Sequence, residues 1–380
     1  MDVLISGAGV AGPTLAHYLA RHGHRATVVE RSGDLRSSGN PVDVRGEAVE
    51  VAEGMGVMPR LRRLATDVDG LTFLTGDGRR TGRVDMRAFQ GASGSREVEI
   101  PRGDLASALY EAGRDDAEYV FGDSIASLAQ DAGGVDVTFE KGAPRRFGLV
   151  VGADGLHSTT RRLAFGPEGD YVERLGMYVA TMPFDEEVGR DVVLYNTPGR
   201  LVSLHPSNGH GGAGFFFRHP VVDDLDHRDT DRHKEIVTAA YAGVGWRVPE
   251  LLDRLRAADD LYFDAVSRVR MDSWTRGRVT LLGDSASSVS LFGDGSSSAM
   301  VGARTLAEEL SAGADTDTAL SRYETRHRAL VGPRLRNVGT ASHLLIPTTR
   351  TGIAARNLAT RLWPVVAAGR KLTRRRPAVA

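Results

Sequence analysis

The first thirty-one residues leave few folds open to this chain. An apolar run from Val3 to Ile5 leads into Gly7-Ala8-Gly9-Val10-Ala11-Gly12, the G-x-G-x-x-G spacing. Helical periodicity follows, with Ala11, Leu15, Ala16 and Leu19 on one face, Pro13 tolerated in the first turn and Gly23 placed to end the helix. A second apolar run closes on Glu30-Arg31. The unit reads strand, helix, strand. Gly7 permits a tight turn, Gly9 lets backbone approach a pyrophosphate, and Gly12 lets the helix pack on the strand. The pyrophosphate would sit on the positive helix end and its free N–H groups. Glu30 lies eighteen residues beyond Gly12, where a carboxylate accepts from adenosine ribose hydroxyls, so FAD or NAD fits this site better than NADP. A glycine fingerprint alone is weak evidence. Here strand, helix and terminal acid agree, and Gly7, Gly9, Val10, Ala11, Gly12, Glu30 and Arg31 form the candidate dinucleotide set.

With 380 residues the chain is long for one core and suggests two domains. A net charge of −1 gives no basis for nucleic-acid binding. The absence of cysteine excludes disulfides, thiolate metal sites and a cysteinyl flavin link. No metal site is expected. The chain opens on a strand bearing Asp2 instead of a signal peptide, and no apolar run approaches the ~20 residues of a membrane span. A soluble cytoplasmic enzyme is the expectation.

Further along, SSGNP reads as a loop, and Gly46 to Gly56 as a helix carrying Val49, Val51 and Ala52, with Arg45 just before it. Residues 70 to 100 alternate as strands around a Gly76-Asp77-Gly78 turn. Pro101 opens a helix bearing Leu105 and Leu109. A meander of short strands then reaches LVVGADGLHSTTRR at 149 to 162, where an apolar strand runs into Gly152-Ala153-Asp154-Gly155 with Ser158 and Arg161 beyond. On its own this stretch is equally a strand, a polar turn and a helix start in which Asp154 or Ser158 caps.

Residues 172 to 270 are of another character: alternating strands separated by Gly, Pro and Asn turns, then a helical section and one more strand. GHGGAG at 209 to 214 precedes a strand and reads as a hairpin loop. A third stretch, RVTLLGDSASSVSLFGDGSSSAMVGARTLAEEL, runs from strand into Gly283-Asp284, through a loop with Gly293, Asp294 and Gly295, to a helix from about Ser296. Such a loop cradles a polar ligand edge or is a plain flexible connection. Residues 317 to 346 read as one long helix, the segment from Thr351 as an amphipathic helix, and RKLTRRRPAVA as a disordered basic tail.

In this order, GAGVAG with Glu30, GADGLHSTTR and LLGDSASSVSLFGDG resemble the motifs of the single-component FAD-dependent aromatic hydroxylases, the para-hydroxybenzoate hydroxylase fold that includes the tetracycline-degrading monooxygenases. The resemblance covers nearly the whole chain. It implies an α/β fold: a Rossmann-like FAD-binding domain of the glutathione-reductase (GR2) type at 1–70, 100–171 and 271–335, with an inserted mixed-sheet substrate domain at 71–99 and 172–270. A C-terminal helix and basic tail would occupy 336–380. It further implies that Arg102, in an R-x-x-L setting with Leu105, and Arg45 reach the flavin-side phosphate or ribityl chain. Asp154 and Gly155 would form the second fingerprint, Asp284 would hold the ribityl chain, and Gly293, Gly295, Ser296 and Ser297 would lie along the isoalloxazine edge. The chain departs from the family where GD usually continues Ala-Ala-His and a proline precedes the glycines. Here Ser285-Ala286-Ser287 and Leu291 stand instead.

By the same resemblance, FAD is bound non-covalently, NAD(P)H is a transient co-substrate, and O2 is activated as a flavin C4a-hydroperoxide that hydroxylates an aromatic or polycyclic small molecule. Alternatives are an epoxidase or Baeyer–Villiger variant, or a FAD-binding protein with a non-redox, cyclase-like or scaffold role. A flavin halogenase of this superfamily needs a lysine beside the flavin tunnel and a W-x-W-x-I-P stretch, yet no lysine precedes Lys141 and Trp246, Trp274 and Trp363 stand apart. A plain NAD dehydrogenase would leave GADG and GD unexplained. The catalytic residues, the choice between NADH and NADPH, and the oligomeric state are not set by the sequence. In the inserted region Phe215 and Phe217 share one strand face and Phe216 takes the other. The Phe215/Phe217 face walls a substrate pocket or is ordinary core. His205 and His210 could deprotonate a phenol or be structural.

Overall fold

The computed structural model describes residues 1–359 apart from 36–40, 67, 86–95, 185, 187–188, 207–210, 223–224, 227–228, 289–293 and 337, and gives backbone alone for 294, 334–336 and 338–341. It divides into two compact units: Met1–Thr66, Arg96–Leu175 and Val266–Val338 in one, Asp67–Ser95, Gly176–Ala265 and Gly339–Ala380 in the other.

The first unit is built on a six-stranded sheet in the order Thr275–Arg276, Val279–Leu281, Leu149–Gly152, Asp2–Ser6, Arg25–Glu30, Ala117–Phe121. All neighbours are parallel except the Thr275–Arg276 pair, and Ile5 stands opposite both Val28 and Val151. Strands buried on both faces read as unbroken apolar runs. Val3, Leu4 and Ile5 accordingly lose all solvent contact. Helix Ala11–Arg21 covers one face with Leu15, Ala16 and Leu19, and ends where Gly23 takes φ +78°. Helices Glu47–Gly54, Arg102–Gly113 and Asp294–Ser311 complete that core. A separate ladder pairs Pro41–Val44 with Val98–Pro101. The Asp294–Ser311 helix starts two residues before the expected Ser296.

The second unit is built on a seven-stranded sheet ordered Tyr262–Val269, Val172–Phe184, Gly211–Arg218, Arg200–His205, Asp191–Thr197, Gly70–Leu74, Arg80–Asp85. Helices Thr230–Ala240 and Val248–Ala257 cover one face of it. The hairpin turn expected at Gly76-Asp77-Gly78 forms between antiparallel strands.

Three sequence expectations are corrected. Gly211 to Gly214 are strand residues, paired with Phe184 to Thr181 on one side and, from Gly212, with His205 to Ser203 on the other, whereas residues 209 and 210 lie outside the described ones. A Cβ on Gly214 would lie 2.6 Å from Ser203 Oγ and 2.9 Å from the Phe216 ring, so this strand glycine serves close packing. The single helix expected over 317–346 is two, Thr316–Arg336 and Val338–Leu345. Pro333 stands in the last turn of the first, where it withdraws a backbone donor. Phe215 and Phe217, both fully buried, belong to the helix-covered core. Their rings meet Tyr241 edge-on at 5.2 and 5.7 Å, and Phe217 stacks on Tyr178. They fill space in that core. Of the C-terminal amphipathic helix, residues 350–359 are described and helical; the basic tail lies outside the described residues. Among the described residues no helix is long and apolar enough to cross a membrane.

Candidate functional site

Backbone sterics build the site in the first unit. Gly7 adopts φ +107°, and a Cβ there would lie 2.5 Å from the carbonyl oxygen of Ala153. A Cβ on Gly12 would lie 2.0 Å from the Gly7 carbonyl oxygen. The turn is therefore clamped between the next strand and its own helix. Gly9 differs, because nothing stands within 4 Å of the position its Cβ would take. The open side of the turn is there. Helix Ala11–Arg21 carries no side-chain cap at Val10 and no acid in its first turn, so no side chain of that turn competes for its N-terminal donors. Val10 and Ala11 are buried, leaving only their backbone to contribute. An open cradle at a bare helix start fits a pyrophosphate.

Glu30 holds the loop's other edge. One carboxylate oxygen accepts from Ala8 N at 2.9 Å and the other from Ser32 N at 2.8 Å. The group stays partly exposed, with lone pairs left for ribose hydroxyls, and the adjacent Arg31 is exposed.

The third motif closes onto the same place. Gly283, at φ +69°, presses its turn against Ala299 and Ala11, where a Cβ would meet theirs at 3.3 and 3.5 Å. Asp284 then stands beside Gly295, whose Cβ would lie 3.1 Å from Asp284 Oδ1, and 3.9 Å from the Arg102 guanidinium. Both charged groups remain part-exposed. Ser297 Oγ donates to the Asp43 carbonyl at 2.7 Å and accepts from Arg45 N at 3.0 Å, which fixes Arg45 against the helix start. Ser296 is buried in that same first turn, and Gly293 lies outside the described residues.

Asp154 takes the capping alternative. Its carboxylate accepts from Thr160 N at 2.8 Å and Thr160 Oγ1 at 2.9 Å, from Ser158 Oγ, and from Ser6 Oγ at 3.3 Å. Ser158 caps helix Thr159–Ala164 by accepting from Arg161 N. Gly155 turns at φ +80° with free space beside it.

Two residues that sequence reasoning gave no role tie the motifs together. Arg161 is fully buried and donates to the carbonyls of Leu156 at 2.6 Å and Ser285 at 3.0 Å, with Glu168 at 3.5 Å. Burial pulls its pKa down, opposed by the carboxylates of Glu168 and Asp154. Ser285, one of the departures from the family pattern, sets its hydroxyl against the carbonyls of Gly152 and Leu282. The extra hydroxyl braces the Gly283-Asp284 turn to the central sheet.

In the second unit, His205 and Phe216 share the sheet face opposite Phe215 and Phe217. Phe216 is partly exposed, its ring lying over Gly214. His205 Nε2 pairs with Ser203 Oγ at 3.0 Å, while its buried Nδ1 has no partner among the described residues. Burial pulls the His205 pKa down to about 4, so the ring is neutral at pH 7. His210 lies outside the described residues.

Residues 1–337 match the protein family described as FAD binding domain. An uncharacterised protein of Mycobacterium tuberculosis is 40% identical over 319 residues, 82% of this chain and 86% of its own. A flavin-dependent monooxygenase of Legionella longbeachae is 34% identical over 338 residues, covering 87% of this chain and 86% of that one. Among solved structures, tetracycline destructase Tet(51) superposes with a TM-score of 0.82 at 29% identity over 95% of each chain.

Proposed function

The chain belongs to the FAD binding domain family and is an FAD-dependent monooxygenase, and on that premise we propose that it hydroxylates a polycyclic phenol with NAD(P)H and O2. The observation that carries the reading is the meeting of an open Gly9 cradle, the Arg102–Asp284 pair and Gly295 in one unit. The chemistry supplied with FAD is two-electron reduction by NAD(P)H and activation of O2, one oxygen atom entering the substrate and the other leaving as water.

The chain's own residues bind and orient. The uncapped helix start at Val10 and the Gly9 backbone take the pyrophosphate, and Glu30 takes the adenosine ribose. Asp284 accepts from the ribityl hydroxyls, with Arg102 beside it balancing charge toward the phosphate. Arg45, Ser296 and Ser297 border the ring end. Asp154, part-exposed at the second fingerprint, holds Ser6, Ser158 and Thr160 together there. The second unit is the substrate unit. Its face carrying the part-exposed Phe216 meets the phenol, with neutral His205 on the same face beside it. Likeness to a tetracycline destructase supports a multi-ring substrate.

Holoenzyme mixed anaerobically with NADPH or NADH should lose its visible flavin band, and air plus a polycyclic phenol should restore it with one O2 consumed per product. Asp284→Ala removes a charge-assisted hydrogen bond of about 1.5–3 kcal/mol, so FAD affinity should fall by roughly ten- to a hundredfold. FAD retained with no bleaching by either nicotinamide would favour the non-redox reading.

A further inference from the structure

The second unit contains an unusual pair of cations. Arg356 Nη1 donates to Asn196 Oδ1 at 2.8 Å, and its Nη2 and Nε donate to Asn357 Oδ1 at 2.9 and 3.2 Å. The guanidinium lies over the Phe73 ring, 4.7 Å from its centroid. Arg218 donates to the Ile346 carbonyl at 3.2 Å and to Ser342 Oγ at 3.4 Å. Every one of these acceptors is neutral. Among the described residues no carboxylate stands within ion-pair reach of Arg218 or Arg356, whereas the more deeply buried Arg161 has Glu168.

A part-buried guanidinium without a counter-ion carries a desolvation cost that amide and carbonyl acceptors only partly offset. Burial alone lowers the Arg356 pKa to about 10, so the group keeps its charge at neutral pH. Arg356 also lines a cavity of about 830 Å³, together with His343, Leu344, Pro347, Gly352 and Ala355. That volume is of the size that takes a small organic ligand. Its wall is largely aliphatic, and Arg218 adds a second positive charge behind the Ser342–Pro347 segment.

We infer that this cavity binds an organic anion, a carboxylate carried on an apolar, ring-sized body, with Arg356 as the counter-ion. The carboxylate supplies the negative charge the cluster lacks, and the ring body covers the aliphatic wall. A strongly hydrated inorganic anion gains less there, because beyond Arg356 and His343 the wall is aliphatic and does little to replace its water. The cavity is lined by residues of the second unit, and its occupancy does not depend on the reaction proposed above.

Calorimetric titration of the holoenzyme with 2-naphthoate, with its neutral isostere 2-naphthamide, and with inorganic phosphate tests the assignment without reference to turnover. One naphthoate should bind per chain at least tenfold more tightly than the amide, and phosphate should not compete. Arg356→Gln should abolish the preference for the acid. Ala355→Trp, which fills the cavity from an exposed position, should abolish binding of both and decides the matter if Arg356→Gln does not fold. Equal affinity for acid and amide in the wild type, displacement by phosphate, or a preference that survives both substitutions would overturn the inference.

Discussion

Gly12 and Gly214 both stand where a side chain has no room, but what they make room for differs. At Gly12 the obstacle is the Gly7 carbonyl, 2.0 Å from an added Cβ. At Gly214 it is Ser203 Oγ at 2.6 Å and the Phe216 ring at 2.9 Å. At Gly12 backbone meets backbone, and no rotamer change relieves the clash. At Gly214 the obstacles are side chains, and a neighbour can turn aside. The nucleotide site is thereby fixed, whereas the sheet face with Phe216 and His205 can be reshaped by small substitutions. Specificity is cheaper to change in the second unit than cofactor binding is in the first.

The largest effect should come from Gly12→Ala. It should yield no soluble flavoprotein, because helix Ala11–Arg21 must leave the turn to admit the methyl group. Gly9→Ala enters empty space and should keep the fold while weakening FAD at least tenfold. Gly214→Ala should cost only about 1–3 kcal/mol, the usual range for overpacking. Yield, thermal midpoint and flavin content of the three variants measure the contrast. A Gly12→Ala protein that keeps FAD and melts like the wild type would break it.

Next in size are the phenylalanines of strand Gly211–Arg218. Phe215→Ala or Phe217→Ala empties a fully buried site against Tyr241 and should cost about 3–5 kcal/mol in denaturant unfolding. Phe216→Ala, on the part-exposed face, should cost far less and instead divert NAD(P)H oxidation toward H2O2. Equal stability losses at all three positions would mean that both faces are core.

What was legible in the sequence follows the same division. A backbone constraint shows itself as a glycine, so Gly7, Gly9 and Gly12 could be given separate roles from spacing alone, and Gly283-Asp284 stood out for the same reason. Arg161 did not, because its acceptors are carbonyls, one of them Ser285 O, 124 residues away, and a carbonyl leaves no mark in a sequence. Alternation correctly put Phe215 and Phe217 on a common face. It could not say which face helices Thr230–Ala240 and Val248–Ala257 would cover, since that depends on a non-local packing. Gly211 to Gly214 were misread for a related reason: glycine marks both a loop and a close approach, and only the pairing partners tell them apart.

The smallest predicted effect concerns a pair held by backbone register in the first unit. Asp43 and Glu99 stand directly opposite each other on the ladder of Pro41–Val44 with Val98–Pro101. Like charges so placed oppose each other, by up to about 1 kcal/mol. Burial raises the Glu99 pKa and the Asp43 charge raises it further; burial likewise raises Asp43, with Arg45 opposing and Glu97 adding. A folded-state pKa above the unfolded value means that the folded chain prefers the protonated acid. The preference is fully present below the unfolded pKa of about 4.3, and it is lost as pH rises through the higher folded value. At neutral pH the ionised pair is therefore a cost. Glu99→Gln keeps the shape of the protonated acid and cannot ionise, so it should leave stability unchanged near pH 4 and raise it by up to about 1 kcal/mol at pH 7. Denaturant midpoints of wild type and variant between pH 4 and pH 8 read the gap directly. A variant equally or less stable at pH 7 would show that the Glu99 charge is compensated in the fold, and that register in this unit carries no electrostatic penalty.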